Sequence, residues 1–224
     1  MTKVDRNQSG GAAMRVGCGS DMAEHVPVFG YTLRGNRYLN VTNRCSLRCM
    51  FCPKFGGNWT VQDYALRLTR EPSIDEMVEA VDDPAHYREV VFCGLGEPTL
   101  RLYDVLEAAT RLRKLGARSL RINTDGLANL VHRRDVTPDF ERIIDSVSVS
   151  LNAQDAATYE RHCRPKEPGS YEAMLDFVRR VREFVPDVSV SAIEGLEGVD
   201  IAACSAIAAR LGVRFRHRVL GKVG

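Results

Sequence analysis

The sequence predicts an α/β protein built on a parallel sheet of about six strands, with helix-containing connections between them. Three observations carry that expectation. Short β-branched runs alternate with runs of helical period from Tyr31 to the end of the chain. The strand-like runs are almost continuously apolar, as strands covered by helices are. The polar and glycine-rich segments fall mostly just after strands, where parallel sheets keep their chemistry.

The elements follow in order. "YTLRGNRYLNVTN" offers two strand segments around Gly35-Asn36, a hairpin signal. "SIDEMVEAV" places Ser73 three residues before Glu76, a capping box that starts a helix. "EVVFCG" is the next strand. "LRLYDVLEAATRLRKLG" sets Leu102, Val105, Leu106, Ala109 and Leu112 on one helical face and stops at Gly116. "SLRINT" and "DSVSVSL" read as strands. "SYEAMLDFVRRVREF" is a helix with Met174, Phe177, Val178 and Val181 inward. "DVSVSAI", the helix "DIAACSAIAARLG" and the strand "VRFRHRVL" complete the series. The loops leaving the strands are the cysteine loop, "GLGEPT", "NTDG", "SLN" and "IEGLEG".

Length and charge bound the reading. The 224 residues suit one domain, expected over residues 26–224, after a flexible Gly-, Ser- and Ala-containing leader over residues 1–25. Lys plus Arg number 31 against 29 Asp plus Glu, so global charge points to neither nucleic acid nor a membrane surface. No transmembrane-length run and no secretory h-region occur, which makes the reducing cytoplasm the expected compartment. There, clustered cysteines read as metal ligands or catalysts rather than disulfides.

"NRCSLRCMFCPKF", Asn43 to Phe55, places Cys45, Cys49 and Cys52 within eight residues. A structural zinc site normally takes four ligands in paired knuckles; His25 or Cys18 could supply a fourth, but neither lies in a knuckle. An iron–sulfur cubane fits three thiolates better, because it then keeps one iron open. Arg44, Arg48 and Lys54 flank the thiols and are candidates to lower their pKa or balance an anionic cluster, or are simply solvated.

Cx3Cx2C, with aromatic Phe51 before the last cysteine and at the exit of the first strand, resembles the radical S-adenosylmethionine superfamily. The resemblance implies an open, partial (βα)6 TIM-like barrel and a [4Fe–4S] cluster on Cys45, Cys49 and Cys52. It implies that the open iron chelates the amino and carboxylate groups of S-adenosylmethionine. An electron then cleaves the sulfonium to give a 5′-deoxyadenosyl radical, and the backbone around Phe51 lies against the adenine. "LGEP" is similar to the superfamily's GGEP motif, with Leu95 in place of the first glycine. This carries Gly96 and Glu97 to the α-amino group, against the alternative that Glu97 is a helix N-terminal carboxylate.

"SVSLN" resembles the ribose-contacting strand and points to Ser150 and Asn152, or else to face-alternating solvent residues. "SAIEGLEG" matches GxIxGxxE only partly: Ile193 and Gly195 fit, Ser191 and Gly198 do not, and Ile193 is carried to the adenine. "NTDG" offers Asn123, Thr124 or Asp125 for cofactor or catalysis, with an Asp-Gly turn as the alternative. In "YERHCRP", Arg164 is a candidate partner for the methionine carboxylate, and His162 and Cys163 are candidate catalytic groups without a positioned partner. Cys204 and Cys93 read as core. The basic end "RFRHRVLGK" reads as an anion contact or as solvated rim arginines.

Longer, looser runs between Tyr31 and Val223 resemble the small TatD-associated radical S-adenosylmethionine proteins, which implies a TatD-type hydrolase as an associate. Pro53 stands where the similarly compact 7-carboxy-7-deazaguanine synthase has a Mg²⁺-binding Thr, so that reaction is not expected. The leading function is a radical enzyme acting on a small molecule of nucleotide or heterocyclic type, reduced by a flavodoxin or ferredoxin. The alternatives are an activase that makes a glycyl radical on a protein partner, and a non-catalytic zinc- or cluster-binding module.

Overall fold

A computed structural model describes residues 27–221. The expected leader, with Cys18 and His25, lies outside the described residues. Strands β1 (Gly30–Leu33), β2 (Asn36–Asn40), β5 (Val90–Cys93), β6 (Leu120–Thr124), β7 (Ser146–Ser150), β8 (Asp187–Glu194) and β9 (Arg214–Val219) form one sheet in that order. β1 runs antiparallel to β2, and every later pair is parallel. The first and last strands do not pair, so the expected six-stranded parallel array stands as an open, partial barrel.

The helices are α1 (Ile74–Glu79), α2 (Leu102–Lys114), α3 (Ala128–His132), α4 (Ala156–Cys163), α5 (Ser170–Val181) and α6 (Ile201–Leu211). Among the described residues, none is long and apolar enough to cross a membrane. α1 begins with the expected capping box, since Ser73 and Glu76 exchange hydrogen bonds with each other's backbone. The predicted inward faces of α2 and α5 are buried, including Leu102, Leu112, Met174 and Phe177 at 0% exposure. They pack on the outward side chains of the strands, such as Leu39, Phe92, Ile122, Val149 and Val190. Each fully buried side chain of that size contributes about 1.5–3 kcal/mol.

Alternation along the strands sends the intervening residues to the other, concave face: Cys93, Arg121, Asn123, Ser148, Ser150, Ser189 and Ser191. The sheet thus has an apolar side that holds the helices and a concave side that is mixed, with polar residues among Tyr38, Val91 and Ile193.

Two local expectations are corrected. The hairpin turns at Arg34-Gly35, both with positive φ (52° and 76°), so Leu33 pairs with Asn36 and the turn lies one residue earlier than expected. The two-residue strands β3 (Thr60–Val61) and β4 (Tyr64–Ala65) form a small separate hairpin that was not expected. Tyr64 of β4 and the nearby Leu66 join Tyr31, Leu33 and Leu95 in a second apolar cluster beside β1. Leu95, the departure from GGEP, is therefore accommodated by packing.

Candidate functional site

The cysteine loop leaves β2 at the C-terminal rim of the sheet and is fixed from two sides. On one side it rests on the segment after α4. The Arg48 amide donates to the Cys163 carbonyl (3.0 Å), Met50 N donates to the His162 carbonyl (2.8 Å), and Leu47 bridges Pro165. Lys166 Nζ donates to the Cys45 carbonyl at 2.8 Å. On the other side, Glu97 N donates to the Arg44 carbonyl at 2.8 Å. Gly96 lies so close that a Cβ there would sit 2.0 Å from the Thr42 carbonyl oxygen. No larger residue fits that position without moving the loop.

The stretch "YERHCRP" therefore serves as a dock. His162 is buried, and its Nε2 bonds the Glu197 carbonyl at 2.7 Å. Cys163 is fully buried against Cys49 and receives the Asn152 amide at 3.5 Å. Neither is open to a substrate as a catalytic group would be. Arg164 is exposed, adopts a left-handed backbone (φ 47°) at the end of α4, and meets the cysteine loop through its carbonyl.

Glu97 and Asp125 form the hub of the rim. Glu97 Oε1 accepts from Thr99 N, Thr99 Oγ1 and Thr124 Oγ1 at 2.7–2.9 Å, and Oε2 accepts from Asp125 N at 2.7 Å. The carboxylate that sequence reasoning assigned to a cofactor amine also caps the short helical turn Pro98–Arg101 and ties two loops together. Asp125 Oδ1 accepts from Leu127 N at 3.0 Å in the turn considered as the alternative, and Oδ2 accepts from the Ser46 hydroxyl. Burial, and then Asp125, push Glu97 up to about 8, and burial also raises Asp125.

The same surroundings act on the thiols. Burial, followed by Asp125 and Glu97, pushes Cys45 up to about 12. Contact with Cys163 raises Cys49, with burial next, and burial raises Cys52. The flanking cations do not reverse this. Lys54 does oppose the rise at Cys45 and Cys52. Arg44 is paired with Glu71 at 2.8 Å, and Arg48 stacks over Phe55 at 5.3 Å. Burial thus favours the neutral thiols over the thiolates, and metal binding would have to overcome that preference.

At the ends of β7 and β8, Ser150 is half-buried and Ile193 is buried. Asn152 is buried with a left-handed backbone (φ 60°), and its Oδ1 has no hydrogen-bond partner. Asn123 Oδ1 is likewise unpaired, while its amide donates to Cys93 Sγ at 3.4 Å. Cys204 is core as expected. Cys93 is not, since it faces the concave side.

As the side chains stand, no three His, Cys, Asp or Glu residues among those described converge on a metal position. The donor set nevertheless fits an iron–sulfur cluster. Cys45, Cys49 and Cys52 are free and half-buried on one braced loop. Gly96 lets the loop backbone sit against the β5 exit, and the unpaired Asn152 oxygen leaves an acceptor near the rim for a polar ligand.

Comparison with known proteins agrees. The chain is 33% identical over 144 residues to a GTP 3′,8-cyclase of Lactiplantibacillus plantarum, covering 62% of this chain and 39% of that protein. It is 31% identical over 121 residues to a probable dual-specificity RNA methyltransferase RlmN of Nostoc punctiforme, covering 52% of this chain and 31% of the relative. The matched stretch thus spans well under half of either relative. The fold is similar to that of Streptococcus suis SuiB, a structure bound to S-adenosylmethionine, with a TM-score of 0.58 at 13% identity, covering 83% of this chain and 38% of that one. The family model for the radical SAM superfamily, whose members are enzymes that use a [4Fe–4S] cluster and S-adenosylmethionine, matches residues 39–209, and the chain belongs to that superfamily.

Proposed function

We propose that this chain cleaves S-adenosylmethionine reductively and uses the resulting radical on a small-molecule substrate. The observation that carries the reading is the braced loop with three free, half-buried thiols at the mouth of an open parallel barrel. Cys45, Cys49 and Cys52 hold the [4Fe–4S] cluster. When bound, the cluster would supply the electron for reductive cleavage of the sulfonium, the source of the radical chemistry on substrate.

The chain's own residues bind and orient. Gly96 permits close approach of its backbone to the methionine end, and Glu97 fixes that backbone and offers acceptor oxygens toward the amine. Ser150 and the unpaired Asn152 oxygen receive the ribose hydroxyls. Ile193 and the backbone at Phe51 flank the adenine. Arg164 reaches the methionine carboxylate from the dock. Asp125, His162 and Cys163 hold the loops rather than react.

The substrate is nucleotide-like in this reading, a choice supported by the cyclase relative, whose name includes GTP. Placement in the small TatD-associated group rests on the sequence runs between Tyr31 and Val223. It brings a TatD-type hydrolase as an associate, and the cytoplasm as the setting in which a flavodoxin or ferredoxin donates electrons. Anaerobic reconstitution is expected to give about four irons per chain, with an EPR signal after dithionite. The variant Cys49→Ala is expected to make no 5′-deoxyadenosine. Tightly held zinc without a reducible cluster would sink the proposal.

A further inference from the structure

Strand β9 reads RFRHRV and sends its residues alternately to the two faces of the sheet. Phe215 packs against the helix-side core. His217 Nε2 pairs with Glu194 at 3.1 Å. Arg214, Arg216 and Arg218 take the concave side. Arg214 and Arg216 line a cavity of about 300 Å³ together with Glu89, Arg121 and Ser189. By strand alternation Arg218 shares the concave face with Cys93 of β5, although β6, β7 and β8 separate the two in the sheet.

The N-terminal end of this cavity balances its own charge. Arg121 pairs with Glu89 at 2.9 Å, and Arg214 Nε pairs with Asp187 at 2.8 Å. Further along β9 the balance stops. Arg216 and Arg218 are half-buried, and neither has an ion pair or hydrogen bond among the described residues. Burial and the neighbouring Arg216 push the Arg218 guanidinium below its ordinary value. A guanidinium stays charged in a protein, so two like charges are held on a partly desolvated wall without compensation.

The wall beside them is small and polar. Ser191 is the register neighbour of Arg216, and Ser150 is the neighbour of Ser191. Neither hydroxyl has a hydrogen-bond partner among the described residues. Short side chains leave space, hydroxyls donate, and planar guanidiniums bind an oxyanion through paired N–H groups. Arg218 is in register with Ile193, so this wall adjoins the position proposed for the cofactor.

We propose that Arg216 and Arg218, with Ser191, form an oxyanion subsite on the concave face that receives a phosphate or carboxylate group of the substrate. Taking the bound anion as part of the substrate rests on the radical reading above; the binding of the anion does not.

The test is calorimetry on the reconstituted full chain at fixed ionic strength, with pyrophosphate, inorganic phosphate and citrate as probes. Saturable binding is expected, and the stronger of pyrophosphate and citrate distinguishes phosphate from carboxylate chemistry. In Arg216→Gln and Arg218→Gln the affinity should fall about tenfold or more, as loss of a charge-assisted contact implies. It should be unchanged in Arg179→Gln, on the exposed side of α5.

Without anion, Arg218→Met should melt above the wild type, because it removes an uncompensated charge. Pyrophosphate should raise the wild-type Tm only. No saturable binding, equal binding in the arginine variants, or a lower Tm for Arg218→Met with anion affinity retained overturns the subsite. A wild type that binds anion but assembles no cluster overturns the proposed function and leaves the subsite standing. A cluster-bearing protein that binds no anion does the reverse.

Discussion

The two sides of the concave face are finished to different degrees. Around the cysteine loop, the polar groups of the rim are largely spoken for: Glu97 accepts four hydrogen bonds, Asp125 two, and the loop backbone is held by α4 and by the β5 exit. Along β8 and β9, serines and two arginines stand without partners among the described residues. A frame whose acidic hub and loop backbone are bonded suits a ligand common to a whole superfamily, since its geometry must be fixed in advance. An unsatisfied wall stores its interactions for a ligand that is absent from the fold's own hydrogen-bond network.

If that contrast is right, equal truncations on the two sides have unequal costs. The largest effect is expected for Glu97→Ala, which orphans buried donors on Thr99, Thr124 and Asp125. The loss should be about 3–5 kcal/mol in a denaturant midpoint experiment. A loss below about 1 kcal/mol would break the comparison, because the hub would then not be holding the rim.

Asp155→Ala is expected to cost about 1 kcal/mol, since Asp155 caps the N-terminus of α4, the helix that carries the dock. Hydrogen bonds from Thr158 hold the Asp155 carboxyl below its ordinary value of 3.8. Its contribution is therefore complete above that value and is lost as pH falls through the lower folded pKa. Wild type and variant should converge in stability at the acid end of a melting series. The smallest effect belongs to the open side: Ser191→Ala should change stability by less than about 0.5 kcal/mol, measured in the same way. A loss comparable to that of Asp155→Ala would mean that the wall is structural.

The apolar half of the design was legible in the residues. Helical period marked Leu102, Leu112, Met174 and Phe177 as core, and all are buried. The capping box at Ser73 and the parallel run of the strands also read directly, because the first is local and the second follows from the alternation of strands with helical connections. The cysteine spacing identified the loop. What held the loop in place was not legible. The bonds from Arg48 and Met50 to residues 162–164 run between backbone atoms, which carry no side-chain signature. The hairpin turn shifted because Gly35 accepts positive φ at either central position of a tight turn. The alternation of arginines on β9 was visible, but which face they share with Cys93 depends on sheet curvature, a property of all the strands together.

The strut between Lys166 and the Cys45 carbonyl joins residues 121 positions apart. Contacts of such separation require a large loop to close, which costs chain entropy before the contact repays it. Until β7 and α4 are in place, the three thiols sit on a segment without a floor, and any metal they gather is held by a flexible peptide. Afterwards the same thiols belong to a rigid rim. If these thiols hold the cluster, its stable retention would report that the second half of the sheet has already been built.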